Sequence, residues 1–466
     1  MSYFSYHNHT DMSNLRLIDS INTTEGVLDR AFNLGLKGVA ITDHETLSSF
    51  VRAEKYLQKK RAEDPRWNDL KFVRGSEIYL TRNGLTKETA VKGERYYHFI
   101  LLAKDYIGYQ QLVELSSRAW GRGFKLNMLR VPTYWSDLEE VIGSNPGHVV
   151  ASTACLGSEI GNKWISVLNG QTKAEEAQEW SKEWLSKLGS IFGKDNVVIE
   201  LQPGVTKEQI FVNKALHDLA VTEDYLFTIT TDTHYLARED RDAHRAFLKS
   251  KNGEREVDEF YEATYMMDIK DIHERMDKHI GANIVDQALK NTLTLLDRFE
   301  EYSLLKPLKI PYLPKEQFDV PFITERHPDY WSVLTAIPNL EKYFDSDELA
   351  DKQFASRLYR FMIEKGEEID TARYLDTKKA SYLDKELGLI WDSGQKQHVS
   401  WSKYFLQVAD YVNLWWNVSI IAPGRGSAGA SYVSFILGII QIDPTREKAP
   451  LLLERFMNPD RASVLD

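Results

Sequence analysis

Side chains that can bind metal ions recur along the first half of the chain, mostly at the ends of short apolar runs. Imidazole, carboxylate and thiol groups in one set favour Zn²⁺, Mn²⁺ or Fe²⁺ over Ca²⁺ or Mg²⁺ alone. So many ligands exceed the needs of one ion, and two or three ions sharing a site can activate a water and neutralise a phosphate in the transition state. We therefore expect hydrolysis of a phosphoester. The metal-capable side chains are His7, His9, Asp19, Asp43, His44, Glu77, His98, Cys155, Asp232 and His234.

Each of these signals is weak when it is taken alone. A pair such as His7 and His9 is often incidental, and a lone cysteine such as Cys155 usually packs as a small apolar side chain. Cys155 is, however, the only cysteine in the chain. Chance would have to place every member of the set at the same kind of position, so we favour a metal site over a collection of structural residues.

An alternation of short apolar runs with helical stretches must position these side chains. The runs are rich in β-branched and aromatic residues and are predicted to be strands. The pattern predicts an α/β fold, a distorted (β/α) barrel with seven strands, one fewer than the common form. Six of the seven strands would then deliver a metal-capable side chain to one mouth of the barrel. The predicted strands are Tyr3–Tyr6, Gly38–Ile41, Lys71–Arg74, Tyr96–Leu102, His148–Ser152, Val197–Leu201 and Leu226–Thr230.

The second half of the chain has a different pattern. From about residue 265 it consists of long amphipathic segments typical of helices, interrupted by a connector at Ile310–Trp331 that is rich in proline and aromatic residues. We therefore predict two domains, residues 1–265 and 266–466, of which the second is mostly helical with an α+β character.

A glycine-rich segment, Pro423–Gly429, lies near the end of the chain between a predicted strand, Val418–Ala422, and a predicted helix, Ala430–Leu437. Backbone amides of such a loop, together with the start of a helix, can bind an anion such as phosphate. Arg425 and Ser427 would add a charge and a hydroxyl. On these residues alone, a tight turn without a ligand explains the segment equally well.

The same segment imitates a dinucleotide-binding motif, because Gly424, Gly426 and Gly429 satisfy GxGxxG. We reject that interpretation because 23 residues follow Asp443, too few to build the remaining strands of a doubly wound sheet.

Composition bounds the class of protein. The net charge is −11, 42% of the residues are hydrophobic, and no long uninterrupted apolar run predicts a membrane span. The first residues, MSYFSYHNHTDMS, lack the features of a signal peptide. One cysteine excludes an internal disulfide framework. We therefore predict a cytoplasmic protein that does not bind membranes.

The metal-capable motifs resemble those of the PHP (polymerase and histidinol phosphatase) domain. HNHTD, the aspartate of RLIDS, AITDH, GSE, YYHFILLAK, STACLGSEI and TDTHYLARED occur in the family's order. They are similar in particular to the version fused to DNA polymerase III alpha subunits. The stretch between His9 and Asp19 is longer than the common pattern, so Asp19 departs most from it. The resemblance implies these metal ligands: His7, His9, Asp19, His44, Glu77, His98, Cys155, Asp232 and His234.

The end of the chain resembles the palm entry of family C DNA polymerases. YLDKELGLIWD, WSKYFLQVADYV, IIAPGRGSAGASYVSFILGIIQIDP and LLLERFMNPDRASVLD carry this likeness. The family's PGRGS loop holds the triphosphate of the incoming nucleotide, which implies that role for Gly424, Arg425, Gly426 and Ser427. Arg461 matches an arginine that implies a further phosphate contact.

In that family the next segment supplies the catalytic aspartates, of which Asp466 matches the first. The others, which hold the Mg²⁺ ions of nucleotidyl transfer, would lie beyond Asp466, so we expect no primer extension by this polypeptide alone. We favour half of a split or truncated replicative polymerase, completed by a separate carboxy-terminal chain and working with DNA, dNTPs and replisome components. The autonomous activity we expect is metal-dependent 3′→5′ trimming of DNA. A free-standing PHP phosphoesterase and a non-catalytic remnant that docks on a replisome are the alternatives.

Overall fold

In the computed structural model of this chain, the described residues are 2–15, 18–84, 96–126, 131–250, 259–307, 309–310, 335–369, 377–424, 426–446 and 451–453. The chain divides into two compact units, Met1–Leu305 and Lys306–Asp466. The boundary between the units therefore follows Leu305, whereas we expected it near residue 265.

The first unit is built on one curled sheet. Among the described residues it has eight strands, in the order β1-β2-β3-β4-β6-β7-β8, with β5 paired to β3 outside this path. All seven predicted strands are present, six of them with ends within one residue of the prediction and the third extended by seven residues to Thr81, which confirms the α/β class. The strands are β1 Phe4–Ser5, β2 Gly38–Ile41, β3 Lys71–Thr81, β4 Tyr97–Ala103, β5 Pro132–Tyr134, β6 Val149–Ser152, β7 Val197–Leu201 and β8 Leu226–Ile229.

Strand direction decides which end of each strand reaches the mouth. Neighbouring strands are parallel except that β4 runs antiparallel to both β3 and β6. His98 is the second residue of β4, so the start of this strand lies at the same rim as the ends of the others. A parallel bridge between Asn8 and Thr233 joins the segments that follow β1 and β8. The sheet is thus curled towards a barrel.

Helices cover the outer face of the sheet because apolar side chains recur at helical spacing between the strands. In the first helix, Val27, Leu28 and Ala31 are buried, and Thr23 caps the start by accepting a hydrogen bond from the Gly26 amide at 3.0 Å. The helices of this unit are α1 Thr24–Asn33, α2 Phe50–Glu63, α3 Tyr106–Leu126, α4 Trp135–Val141, α5 Glu159–Leu168, α6 Ala174–Phe192, α7 Lys207–Glu223, α8 Arg241–Lys249, α9 Ile269–Ile280 and α10 Ala282–Leu296. Short 3₁₀ helices lie at Asp11–Leu15, Pro65–Asp69, Lys194–Asn196, Arg238–Asp240 and Glu259–Ala263.

Helix α10 explains why the first unit extends beyond residue 265. On α10, Asn291 donates to the Phe227 carbonyl at 2.8 Å, and Thr292 accepts from the Phe4 amide at 2.9 Å. Leu295 and Leu296 join the apolar cluster inside the curl of the sheet. Helices beyond residue 265 therefore belong to the sheet unit.

The second unit contains helices and no strand within its described residues. Its core includes Leu358, Leu387, Phe405 and Val433. The predicted strand Val418–Ala422 is wrong: these residues form no strand, and Ile420 is 93% exposed. An apolar run becomes a strand only where another strand can pair with it. The helices are α11 Pro338–Asp345, α12 Leu349–Ile369, α13 Thr377–Gln397, α14 Trp401–Trp416 and α15 Tyr432–Ile436, with a 3₁₀ turn at Ser427–Ala430.

No helix among the described residues is both long and apolar enough to cross a membrane.

Candidate metal centre

The structure brings all nine side chains of the implied ligand set to one rim of the curled sheet. They come from positions that span more than two hundred residues of the sequence, and apart from His98 they are buried. Eight of them form three overlapping groups in which one ligand atom per residue lies within 4.8 Å of the others. The ninth, Asp19, contacts two members of these groups.

The first group surrounds the two histidines that follow β1. His7 Nε2 lies 3.0 Å from Glu77 Oε2 and 3.1 Å from Asp232 Oδ1. His9 Nε2 lies 2.9 Å and 3.2 Å from the same two oxygens. Two imidazole nitrogens thus face two carboxylate oxygens around one point, as four ligands of a cation would.

The second group contains His9, His44 and His234. Asp19 Oδ2 lies 2.8 Å from His44 Nε2 and 2.8 Å from His234 Nε2. Asp19 was the least regular match in the sequence, because of the longer loop before it. The structure nevertheless brings its carboxylate into the same cluster.

The third group contains Glu77, His98 and Cys155. His98 Nδ1 lies against Glu77 Oε1, and the Cys155 Sγ atom is 3.5 Å from His98 Nδ1. Glu77 belongs to the first group through one oxygen and to the third through the other. Its carboxylate is therefore placed to bridge two cations.

Several ligand-type atoms of the cluster are buried and make no hydrogen bond, although each lies within ion-pair distance of another ligand atom of the set. They are His9 Nε2, His44 Nδ1, Glu77 Oε1 and Asp232 Oδ1. Buried polar atoms are usually hydrogen-bonded, since an unpaired one costs free energy. Four such atoms at one rim fit a site built for ions, and their mixed nitrogen, oxygen and sulfur chemistry fits Zn²⁺, Mn²⁺ or Fe²⁺.

The electrostatics of the cluster point the same way. Burial would lower the pKa of His9, but Asp232 and Glu77 outweigh it and raise that pKa to about 10. Burial opposes ionisation of Glu77 and Asp232, yet the histidines around them hold both pKa values well below the ordinary range. Burial, with Asp232 and Glu77, raises the pKa of the Cys155 thiol well above its ordinary value. A positive charge is needed among these groups, and a bound cation would supply it.

Loop backbones at the rim are strained to place the ligands. Glu45, Ala154 and Asp232 have φ values of 58°, 56° and 48°, a left-handed conformation that costs free energy for residues with a Cβ. Glu45 follows His44, and Ala154 precedes Cys155. Strain of this kind persists only where the surrounding structure fixes it, and here all three positions lie beside or at candidate ligands.

Residues outside the implied set orient its members. Ser13 Oγ lies 3.2 Å from His9 Nδ1, which leaves Nε2 towards the cluster. His234 Nδ1 donates to the Asp232 carbonyl at 2.8 Å, which does the same for His234. Asp43, a metal-capable residue in the sequence, instead accepts hydrogen bonds from Thr10 and Ser13.

Two further residues support Asp19. Tyr261 donates to Asp19 Oδ1 at 3.1 Å, and His244 Nε2 donates to the Asp19 carbonyl at 2.7 Å. Burial and the nearby His234 lower the pKa of His244 to about 4. His244 is therefore a neutral structural histidine, whereas no pattern in the sequence indicated Tyr261.

In the glycine-rich segment of the second unit, Pro423, Gly424 and Gly426 are exposed and Ser427 is half-buried. Gly426 has φ +72°, a conformation that favours glycine, and Ser427 starts a 3₁₀ turn. At its ends, the Pro423 carbonyl accepts from the Gln441 amide at 2.7 Å, and Ser431 donates to Glu386 at 2.5 Å. Gly424 is described as well, whereas Arg425, Arg461 and Asp466 lie outside the described residues.

Comparison with known proteins identifies the chain's relatives. Residues 5–204 match the PHP domain family, and residues 348–466 match the bacterial DNA polymerase III alpha NTPase domain family. The DNA-directed DNA polymerase of Bacillus phage SPbeta is 34% identical over 95% of this chain and 34% of its own length. The DNA polymerase III alpha subunit of Aquifex aeolicus (strain VF5) is 31% identical over 99% of this chain and 35% of its own length.

A crystal structure of a candidate metal-dependent phosphoesterase from Bifidobacterium adolescentis is 15% identical and covers 60% of this chain and 98% of its own, with a TM-score of 0.31. A TM-score of this size is too low to establish a shared fold. The chain spans about a third of the length of the curated relatives named above. Because they align over nearly all of it and both family matches coincide with the motifs, the chain is a DNA polymerase III alpha-like amino-terminal region that contains a PHP domain.

Proposed function

We propose that the first unit is a metal-dependent phosphoesterase that removes nucleotides from DNA 3′ ends. The observation that carries this proposal is the convergence of nine metal-capable side chains, among which four buried ligand atoms make no hydrogen bond. A hydrolytic site of this kind on a polymerase relative would act as a 3′→5′ exonuclease.

The proposed ligands divide into three overlapping sets. His7, His9, Glu77 and Asp232 would hold one ion, and Glu77, His98 and Cys155 a second. The third set contains His9, His44 and His234, to which Asp19 adds a carboxylate. When bound, divalent cations there would polarise a phosphate and lower the pKa of a nearby water, so that the water can lose a proton and attack at neutral pH.

The protein's own part in this chemistry is to hold the ligands in one protonation state and one orientation. Ser13 and the Asp232 carbonyl fix the rings of His9 and His234 from behind. Glu77 supplies one oxygen to each of two neighbouring groups. Groups preorganised in this way need no rearrangement when charge develops on a phosphate.

For the second unit we propose a nucleotide-binding role, carried by the glycine-rich loop. Gly424 and Gly426 are exposed, Gly426 adopts a left-handed conformation, and backbone amides beside Ser427 would suit a triphosphate. Gly424, Arg425, Gly426 and Ser427 would contact the phosphates, with Arg461 as a further contact.

In the same proposal the region serves DNA synthesis. Its relatives are named as DNA polymerases, which supports DNA and dNTPs as substrates, replisome proteins as partners and the cytoplasm as its place of work. Nucleotidyl transfer would additionally need Mg²⁺ and aspartates that follow in the family pattern, supplied by a carboxy-terminal polymerase part.

The exonuclease proposal is tested with the purified chain, Mn²⁺ or Zn²⁺, and a labelled primer with a 3′ mismatch. We expect trimming by the wild type and none by His9→Ala. Metal analysis of both proteins belongs to the same experiment. Wild-type protein that carries metal but trims no better than His9→Ala would contradict the exonuclease and leave an architectural metal site.

A further inference from the structure

A carboxylate that belongs to none of the three metal groups lies directly behind His7. Glu200 is the fourth of the five residues of β7, is 1% exposed, and its Oε1 lies 2.7 Å from His7 Nδ1. The other ring nitrogen of His7, Nε2, faces Glu77 and Asp232 at 3.0 Å and 3.1 Å. His7 therefore stands between Glu200 on one side and the candidate cation on the other.

The contact decides the tautomer of His7. Glu200 at Nδ1 draws the ring proton to that nitrogen, which then donates to the carboxylate. With that proton at Nδ1, Nε2 would offer its lone pair to a cation held by the first metal group. A carboxylate behind a histidine in this way makes the ring a more basic ligand and holds it in one orientation.

Glu200 is itself held from several directions. Gln202 Nε2 donates to its Oε1 at 2.8 Å, and Ser152 Oγ donates to its Oε2 at 2.8 Å. Ser152 is in turn 3.2 Å from the hydroxyl of Tyr6, which also contacts Thr228 at 2.8 Å. The carboxylate cannot turn away from His7 without breaking these bonds.

Glu200 is buried, and His7 is the one basic group that the described residues place beside it. Among the described residues, its only ion pair is with His7, and no lysine or arginine pairs with it. A buried carboxylate is unfavourable unless a positive charge compensates it. A cation bound through His7 Nε2 would provide that compensation across the ring.

We infer that Glu200 is a positioning residue that sets the cation affinity of the centre through the His7 ring. This inference rests on the proposed metal site, and it adds a residue that acts without touching the ion. Glu200 also ties β7 to β6 through Ser152, so a purely structural role is the rival explanation.

The test measures Zn²⁺ affinity of the purified chain by competition with a chromophoric chelator. Glu200→Gln keeps the shape of the side chain and removes its charge, and we expect it to weaken Zn²⁺ binding roughly 10–100-fold. His7→Ala should also weaken it. In the double variant the Glu200 substitution should cause no further loss, because the ring through which it acts is gone.

Two controls separate positioning from general damage. Glu54→Gln alters another buried carboxylate of the same unit, one paired with Arg74 at 2.9 Å, and should leave Zn²⁺ affinity unchanged. When both proteins are loaded with Co²⁺, the visible absorption bands of Glu200→Gln should be shifted from those of the wild type. These bands report on the ligand field of the ion rather than on stability.

The outcomes are distinguishable. Wild-type affinity in Glu200→Gln, with a loss in His7→Ala, would overturn the positioning role and leave the metal site standing. An equal loss from Glu200→Gln with and without His7 would favour the structural rival. Unchanged affinity in His7→Ala would contradict the metal assignment itself. If Glu200→Gln does not fold, Ser152→Ala, which loosens the carboxylate, should give a smaller loss that also disappears without His7.

Discussion

The metal centre and the glycine-rich loop place their chemistry in opposite ways. The centre draws buried side chains from loops and strands far apart in sequence, and each one contacts others of the set. The loop consists of a few consecutive residues, of which Gly424 and Gly426 are exposed, and depends mainly on its own backbone conformation. Substitution of one ligand should therefore disturb the other ligands of the centre, whereas the effect of a substitution in the loop should remain local.

The shared carboxylate gives the largest expected effect. Glu77→Gln removes a ligand from two groups at once, so Zn²⁺ affinity should fall at least about a hundredfold, beyond the usual cost of losing a supporting residue. Hydrolysis of the mismatched primer should disappear with it. Chelator competition and the primer assay measure the two effects. A loss under about threefold would mean that Glu77 does not bridge ions.

In the second unit the corresponding buried carboxylate is Glu386. It accepts hydrogen bonds from Ser431 and the Tyr432 and Val433 amides, at 2.5, 2.8 and 3.2 Å. Burial raises its pKa to about 7 despite these donors, from 4.5. Between pH 4.5 and about 7, Glu386 therefore keeps a proton in the folded unit that it has lost in the unfolded chain. Its contribution to stability is full below pH 4.5 and is lost as the pH rises through about 7.

The size of that loss is about 3 kcal/mol in the free energy of unfolding. Urea titrations between pH 5 and 8 should show it in the wild type, while Glu386→Gln should show a flatter profile. Identical pH dependence in the two proteins would mean that Glu386 is ionised in the folded unit. No part of this effect should depend on Zn²⁺.

Metal itself should stabilise one unit and not the other. At a hundred times its dissociation constant, Zn²⁺ should add about 2.7 kcal/mol to the stability of the unit that binds it. Hydrogen exchange should slow in β1, β3 and β7, with α12 to α14 unchanged. Equal protection of both units would remove the contrast between them.

The smallest effect should come from the loop. Gly426→Ala puts a Cβ at φ +72° and should cost about 1 kcal/mol of local backbone strain. Binding of a fluorescent dNTP analogue should weaken several-fold while Zn²⁺ affinity stays at the wild-type value. Gly388→Ala, on α13, places a Cβ against Asn339 rather than in the loop, and controls for loss of stability. Unchanged nucleotide binding would remove the phosphate role of the loop.

Most of the first unit could be predicted because its strands have the composition and length that local patterns reveal. β5 was missed because Pro132–Tyr134 is too short to show an alternation. The reversed direction of β4 was not predictable, since the residues of a strand do not encode which neighbour it will pair with. Val418–Ala422 shows the opposite error, an apolar run for which the described part of the second unit offers no partner strand.

The metal-ligand residues were more predictable from the sequence than the residues that orient them. Histidines, acids and a single cysteine at strand ends are visible in the sequence as residue types, and the structure brings them together. Glu200 was missed, although a carboxylate inside the apolar strand VVIEL is a signal that something positive must lie nearby. Tyr261 and Ser13 carry no such signal, because hydroxyl groups are common on loops.

The most direct test is to locate Zn²⁺ in crystals of the protein by anomalous scattering at the zinc edge. The ligand groups predict two or three peaks at one rim of the curled sheet, with one about 2.0–2.2 Å from His9 Nε2 and from an oxygen of Asp232. Zinc bound only at other surfaces, with His9, Glu77 and Asp232 touching no ion, would contradict a shared cation cluster.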